Sequence, residues 1–258
     1  THFVPAFINT STSIERLMEL ERLPCEEEAD EADLRGFKED EPLGVRFENV
    51  TYQYTARQTK ILDGVSFDFR PSTCNAILGP TGVGKTTMIR LILSLIKPDT
   101  GRVTLYGEGH ETTASVATRT EIVYVPQGNT LLSGSIRDNL LFGCPHATDT
   151  QIRSALHTAC ADFVYELHEG LDTMCGEMGM GFSEGQAQRI SIARSLLHGG
   201  RIILLDEATS ALDIDTEQRL LDNLKALADT GRTIIFITHR QEVLQICSEV
   251  IRLTRHRA

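Results

Sequence analysis

The run Gly79-Pro80-Thr81-Gly82-Val83-Gly84-Lys85-Thr86-Thr87 constrains this chain more than any other segment. It fits G-x-x-x-x-G-K-[ST] at Gly79, Gly84, Lys85 and Thr86. Such a loop turns its backbone N–H groups inward around an anion. Side chains at the glycines would block the anion or forbid the needed dihedrals. The residues before it, Cys74 to Leu78, are mostly apolar and suit a buried parallel strand. After it, Met88, Leu91, Ile92 and Leu95 recur at helical spacing, and Lys97-Pro98-Asp99 is the expected helix end. The helix N-terminus then adds its unpaired N–H groups to the anion site. In this arrangement Lys85 reaches the β- and γ-phosphates of a nucleotide, and the Thr86 hydroxyl holds Mg²⁺.

A second apolar run, Ile202 to Leu205, ends on Asp206 and Glu207. Carboxylates at the C-terminal end of a parallel strand face the ligand crevice. Asp206 is suited to hold Mg²⁺ through water, and Glu207 to polarise an attacking water. Alone, the pair also reads as an ordinary solvated turn; the phosphate loop shifts the balance. A third run, Thr233 to Ile237, leads into Thr238-His239. A histidine there can hydrogen-bond a γ-phosphate, although a single histidine is more often structural or simply exposed.

Other motifs join these. Gly181 to Arg189 reads GFSEGQAQR, Gln127 closes Val125-Pro126-Gln127, Ser210-Ala211-Leu212-Asp213 reads SALD, and Tyr54 ends FENVTYQY. With them the chain resembles the ATP-binding cassette (ABC) ATPases, from about Gly44 to the C-terminus. The resemblance implies an α/β fold: a P-loop NTPase core with a mostly parallel sheet, an N-terminal antiparallel β subdomain and an inserted α-helical subdomain. It makes ATP and Mg²⁺ the cofactors. Glu207, His239 and Gln127 become the catalytic set, with Thr86, Gln127 and Asp206 around the metal. Tyr54 would lie under the adenine, with Tyr52 the second candidate. The resemblance also implies a head-to-tail dimer. Each ATP would lie between one phosphate loop, Gly79 to Thr87, and the partner's Ser183, Gly185, Gln186 and Asp213. A helix from Gln186 to His198 would point its positive end at the γ-phosphate. Two departures stand out against the family's LSGGQ. Phe182 replaces Leu and keeps an apolar anchor, and Glu184 replaces the first Gly and adds a negative charge.

Asn129 to Gly143 (NTLLSGSIRDNLLFG) and Met174 to Gln186, with Gly176-Glu177 ahead of the signature, resemble the exporter branch. That branch implies transmembrane domains in the same polypeptide and a place on the cytoplasmic face of the cell membrane. Phe7, Ile14, Leu17, Met18 and Glu21 recur at helical spacing before Pro24. They read as a connecting helix over 1–24, followed by an acidic linker over 25–43 and the ATPase domain over 44–258. The helical subdomain is expected over about 128–186. Because the first residue is Thr1, the chain reads as part of a longer product.

Of the net charge of −11, most lies between Glu26 and Glu41, where nine acids face only Arg35 and Lys38. That stretch reads as solvated. An acidic chain without a basic run is poorly suited to nucleic acid. The six cysteines form no C-x-x-C pair, so neither a zinc site nor a disulfide framework is expected. No run of about 20 apolar residues is present. Two other functions are open at this level: a soluble ATPase of the same type acting on nucleic acid or ribosomes, and a non-hydrolysing half of a heterodimer. The second is motivated by Glu184 alone.

Overall fold

A computed structural model describes residues 18, 26, 34–54, 59–128, 130–176 and 181–254. The N-terminal part is antiparallel. Strand β1 (Gly44–Tyr52) pairs with β2 (Leu62–Phe69), and further along the chain with β4 (Thr100–Tyr106), which pairs with β5 (Glu111–Thr113). The order is β2-β1-β4-β5. Val45 and Phe47 point inward by strand alternation, but the next inward residue is Val50. Asn49, at φ 50°, supplies the extra residue, and the β1 register shifts there. Asn tolerates the left-handed region, so the bulge has a local cause. Gly101 lies against the same bulge. A Cβ on it would stand 2.4 Å from the Glu48 and Asn49 carbonyl oxygens.

The central sheet is parallel. It comprises β3 (Cys74–Leu78), β6 (Ile122–Val125), β9 (Ile202–Asp206), β10 (Thr233–Ile237) and β11 (Glu249–Arg252), in the order β11-β3-β10-β9-β6. Every residue of β3 and β10 is buried, as expected for strands covered on both faces. Alternation divides the core in two. Ala76, Val125, Leu205 and Phe236 face a helical layer, whereas Ile77, Leu204, Ile235 and Ile237 face helix α1 (Lys85–Ile92) and the antiparallel sheet.

The helical layer holds α2 (Ile136–Gly143), α3 (Asp149–Thr158), α4 (Glu184–Leu197) and α5 (Ile214–Asp229). A short helix, α6 (Gln241–Leu244), precedes β11. A two-stranded antiparallel pair, β7 (Gly134–Ser135) with β8 (Met174–Cys175), closes the helical insertion. Capping boxes start three of these helices: Ser135 with Asp138, Thr148 with Gln151, and Ser183 with Gln186.

Several expectations need correction. Helix α1 stops at Ile92, short of Lys97. Ser94 adopts φ 51°. Its N–H bonds Leu91 O at 3.0 Å and the Leu95 N–H bonds Arg90 O at 2.8 Å, a Schellman ending. Leu95 therefore leaves the helical face and is exposed. Helix α4 begins at Glu184, two residues before the expected Gln186. The acidic stretch is not uniformly solvated. The Glu41 carboxylate is buried, accepts the Lys38 N–H at 2.8 Å and also binds the Glu108 N–H. Leu43 is fully buried beside it.

The expected connecting segment 1–24 lies outside the described residues apart from Met18, as do Cys25, Asn129 and Glu177. Among the described residues, no helix is long and apolar enough to cross a membrane.

Candidate functional site

The parallel registers set the site. Ile237 pairs with both Ile77 and Asp206, and Leu205 pairs with Val125. The C-terminal ends of β3, β6, β9 and β10 therefore form one edge. Just past it come the Gly79 loop, Gln127, Glu207 and His239. This is the edge at which open α/β sheets bind ligands.

In the loop, Gly84 takes φ 119° and stands at the N-cap of α1. The helix has no side-chain cap and no acidic residue in its first turn, so its leading N–H groups face the loop uncompensated. Lys85 Nζ donates to Gly79 O at 2.6 Å and lies 3.4 Å from Pro80 O. A cleft of about 650 Å³ opens over the loop. Of the expected residues, it brings together Tyr54, Thr81, Gly82, Gly84, Lys85, Thr86, Thr87, Gln127, Asp206 and Glu207. Gly79, Pro80, Val83 and His239 are not among its lining residues, and the Val83 side chain is buried in the core.

Two lining residues, Ile61 and Arg90, escaped the sequence reading. Arg90 Nη1 donates to the Tyr54 hydroxyl at 3.1 Å, and that hydroxyl is 3.4 Å from Thr87 Oγ1. Arg90 lies three residues after Thr87 on α1, so helical spacing carried the signal. Ile61 had no such signal. The Ile61 N–H reaches Tyr52 O at 2.9 Å, an extension of the β1–β2 pairing that sequence spacing does not show.

The acidic pair is asymmetric. Burial pushes the Asp206 carboxyl up from its ordinary value; the Tyr124 hydroxyl, 3.4 Å away, opposes this, the Glu207 charge adds to it, and Lys85 opposes it. Burial, then the Asp206 charge, pushes the Tyr124 phenol up to about 12. Glu207 sits at φ 49°, an uncommon conformation for a residue with a side chain. Its N–H is tied to Ile237 O at 2.8 Å. Gln127 Nε2 donates to Glu207 Oε2 at 3.0 Å, and His239 Nδ1 stands 3.7 Å from Glu207 Oε1.

The signature residues lie elsewhere. Ser183, Gly185, Gln186 and Asp213 do not line this cleft. Ser183 Oγ accepts the Gln186 N–H at 3.2 Å, and Gln186 Oε1 accepts the Ser183 N–H at 3.0 Å. The Gln186 side chain is thus engaged in the cap, while Ser183 keeps a hydroxyl proton to donate. Asp213 Oδ1 caps α5 by accepting the Thr216 N–H at 3.0 Å. That backbone bond, and then the Thr216 side chain, holds its carboxyl below the ordinary value. A Cβ on Gly185 would stand 2.7 Å from Ala211 O, so the signature packs directly on the Ser210–Asp213 loop. Phe182 is partly buried against the helical core, and Glu184 is exposed.

Residues 62–210, more than half of the chain, match a family model described as "ABC transporter". The chain belongs to the ABC transporter family. It is a nucleotide-binding, ATPase domain of that family, similar to those of exporters. This ABC domain is 38% identical over 215 residues to antigen peptide transporter 2 of Mus musculus, covering 83% of the chain and 30% of that protein. It is 35% identical over 246 residues to the cyclolysin secretion/processing ATP-binding protein CyaB of Bordetella pertussis, covering 95% of the chain and 34% of that protein. It is also 35% identical over 255 residues to the beta-(1→2)glucan export ATP-binding/permease protein NdvA of Brucella melitensis, covering 96% of the chain and 42% of that protein. A bacterial Atm1-family ABC exporter, solved with ATP bound, superposes with a TM-score of 0.80 at 32% identity, over 93% of this chain and 42% of that one. The domain therefore spans less than half the length of these relatives.

Proposed function

We propose that this domain binds MgATP in the Tyr54–Glu207 cleft and closes head to tail on a second ABC ATPase domain, an identical or a related copy. Hydrolysis then drives export through transmembrane domains of the same polypeptide, at the cytoplasmic face of the cell membrane. The carrying observation is the division of the chemistry. Phosphate loop and carboxylates share one cleft, whereas Ser183 and the N-terminal end of α4 that it caps stand outside it. A hydroxyl proton and a helix N-terminus suit a terminal phosphate. A second chain can offer them where the first cannot.

Within one cleft, Lys85 neutralises the β- and γ-phosphates. Glu207 takes the proton of the attacking water, with Gln127 orienting its carboxylate and His239 on the γ-phosphate side. The donors around Asp206 fit Mg²⁺. A hydroxyl (Thr86), an amide oxygen (Gln127) and a half-buried carboxylate are hard oxygen ligands, and burial of Asp206 beside Glu207 calls for a counter-charge. When bound, Mg²⁺ supplies charge neutralisation at the phosphate oxygens.

An apolar groove of about 460 Å³ adjoins Gln127 and supports contact with a membrane domain. Val123, Pro126, Leu132 and Phe142 line it, and Phe142 is 72% exposed. The test is Glu207→Gln, which should stop hydrolysis and trap an ATP-dependent dimer in light scattering. A monomer at saturating ATP, up to the highest soluble protein concentration, sinks the shared-site reading.

A further inference from the structure

Glu217, on α5, is a carboxylate with 1% of its surface exposed. Neither of its oxygens has a hydrogen-bond partner among the described residues. The charge that faces it is the Arg240 guanidinium, with Nη2 3.0 Å from Glu217 Oε2. Arg240 directly follows His239. Its Nη1 donates to Thr209 O at 2.9 Å and its backbone N–H to Thr238 Oγ1 at 3.0 Å. Its Nε stands 3.9 Å from the half-buried Glu242. One side chain therefore joins three pieces: the turn bearing His239, the loop leaving Glu207 toward Asp213, and the first turn of α5. The same loop carries Ala211, whose carbonyl oxygen abuts Gly185 of the signature.

Stability alone gives no good reason for a charged pair here. Two apolar side chains of similar volume would serve a buried position equally well, because desolvation offsets the attraction. A guanidinium, however, can donate to one acceptor, here Thr209 O, while its charge faces the Glu217 carboxylate, so it ties both neighbours at once. We infer that Arg240 and Glu217 are positioning residues that lock the His239 turn to the Glu207–Asp213 loop, so that the nucleotide-facing and signature-facing ends of the domain move together. The inference rests on the head-to-tail reading, in which those two ends meet different ATP molecules.

The test uses the whole chain and three variants: Arg240→Lys, Glu217→Gln and the double Arg240→Met/Glu217→Leu. The double variant removes both charges and leaves neither unpaired. It should keep the wild-type thermal midpoint and bind MgATP within about twofold of wild type, yet lose about tenfold or more in kcat. Arg240→Lys should retain part of the rate. In a Glu207→Gln background, the double variant should weaken the ATP-dependent dimer by about tenfold.

Wild-type kcat in the double variant overturns the inference. So does a rate loss matched by equal losses of affinity or thermal midpoint. Should the double variant not fold, wild-type kcat in both Arg240→Lys and Glu217→Gln overturns it equally. An unsubstituted chain that neither hydrolyses ATP nor dimerises with it overturns the head-to-tail reading instead.

Discussion

The Gln127 side-chain amide donates to Glu207 Oε2 at 3.0 Å. The sheet order explains the meeting. Strand β9 lies between β6 and β10, so the residue just past β9 is flanked by residues just past its neighbours. Gln127 arrives from one side and His239 from the other. The positive φ of Glu207 turns the carboxylate into this gap. Gln127→Ala should lower kcat by about 10- to 100-fold, the cost of a misplaced reacting group, with a smaller loss of MgATP affinity from the missing amide oxygen. Steady-state hydrolysis with a parallel binding titration checks this. An unchanged kcat would mean that Glu207 is oriented without Gln127.

Tyr54 and Tyr52 meet edge to face with ring centroids 4.9 Å apart, but only Tyr54 lines the cleft. Tyr54→Ala should cost about 1–3 kcal/mol of ATP affinity, the range for one base on one aromatic ring. Tyr54→Phe should keep most of that affinity, because the ring and not the hydroxyl is the platform. A fluorescent-nucleotide titration decides between the rings. Equal losses from Tyr52→Ala and Tyr54→Ala would remove the assignment.

The legible parts of the site are those whose chemistry leaves few choices. An anion loop needs Gly84 and Lys85 in fixed places, and an apolar run ending in Asp206-Glu207 already marks a strand edge. Less legible are features that depend on partners far along the chain. The burial of Glu41 is decided by the Glu108 N–H, 67 residues away, whereas a charge run treats all its acids alike. The end of α1 turns on one left-handed residue, Ser94, a type with no marked preference for that conformation. The side chains of Gln186 and Asp213 are taken up by helix caps, a role that their motif names conceal.

Glu184 is exposed in the first turn of α4, beside the Ser183 cap. A carboxylate there favours the helix by about 0.3–1 kcal/mol through the macrodipole. The same charge opposes a phosphate approaching that N-terminus. Glu184→Gln should therefore lower the thermal midpoint slightly and tighten the ATP-dependent dimer of the Glu207→Gln domain. Both effects should shrink as salt rises, because the group is screened. Light scattering at two ionic strengths is the measurement. A weaker dimer in Glu184→Gln would show that the carboxylate makes a favourable contact across the seam.

Asp206 sets a pH dependence whose sign follows from its raised pKa. Burial is the main cause, so the folded domain holds that proton to a higher pH than the unfolded chain does. Between the unfolded value of about 3.9 and the higher folded one, the folded state binds more protons and stability falls as pH rises. Above that window the full penalty for a charged, half-buried Asp206 remains. Asp206→Asn removes it. The variant should melt above wild type at pH 7, and the two midpoints should converge as pH falls toward about 4. Added Mg-nucleotide should reverse the order at pH 7, because the charged carboxylate is then matched and the amide is not. Thermal melts across that pH range, with and without MgATP, test both halves. A variant that melts below wild type at pH 7 without nucleotide would mean that Lys85 and Tyr124 outweigh burial at this carboxylate.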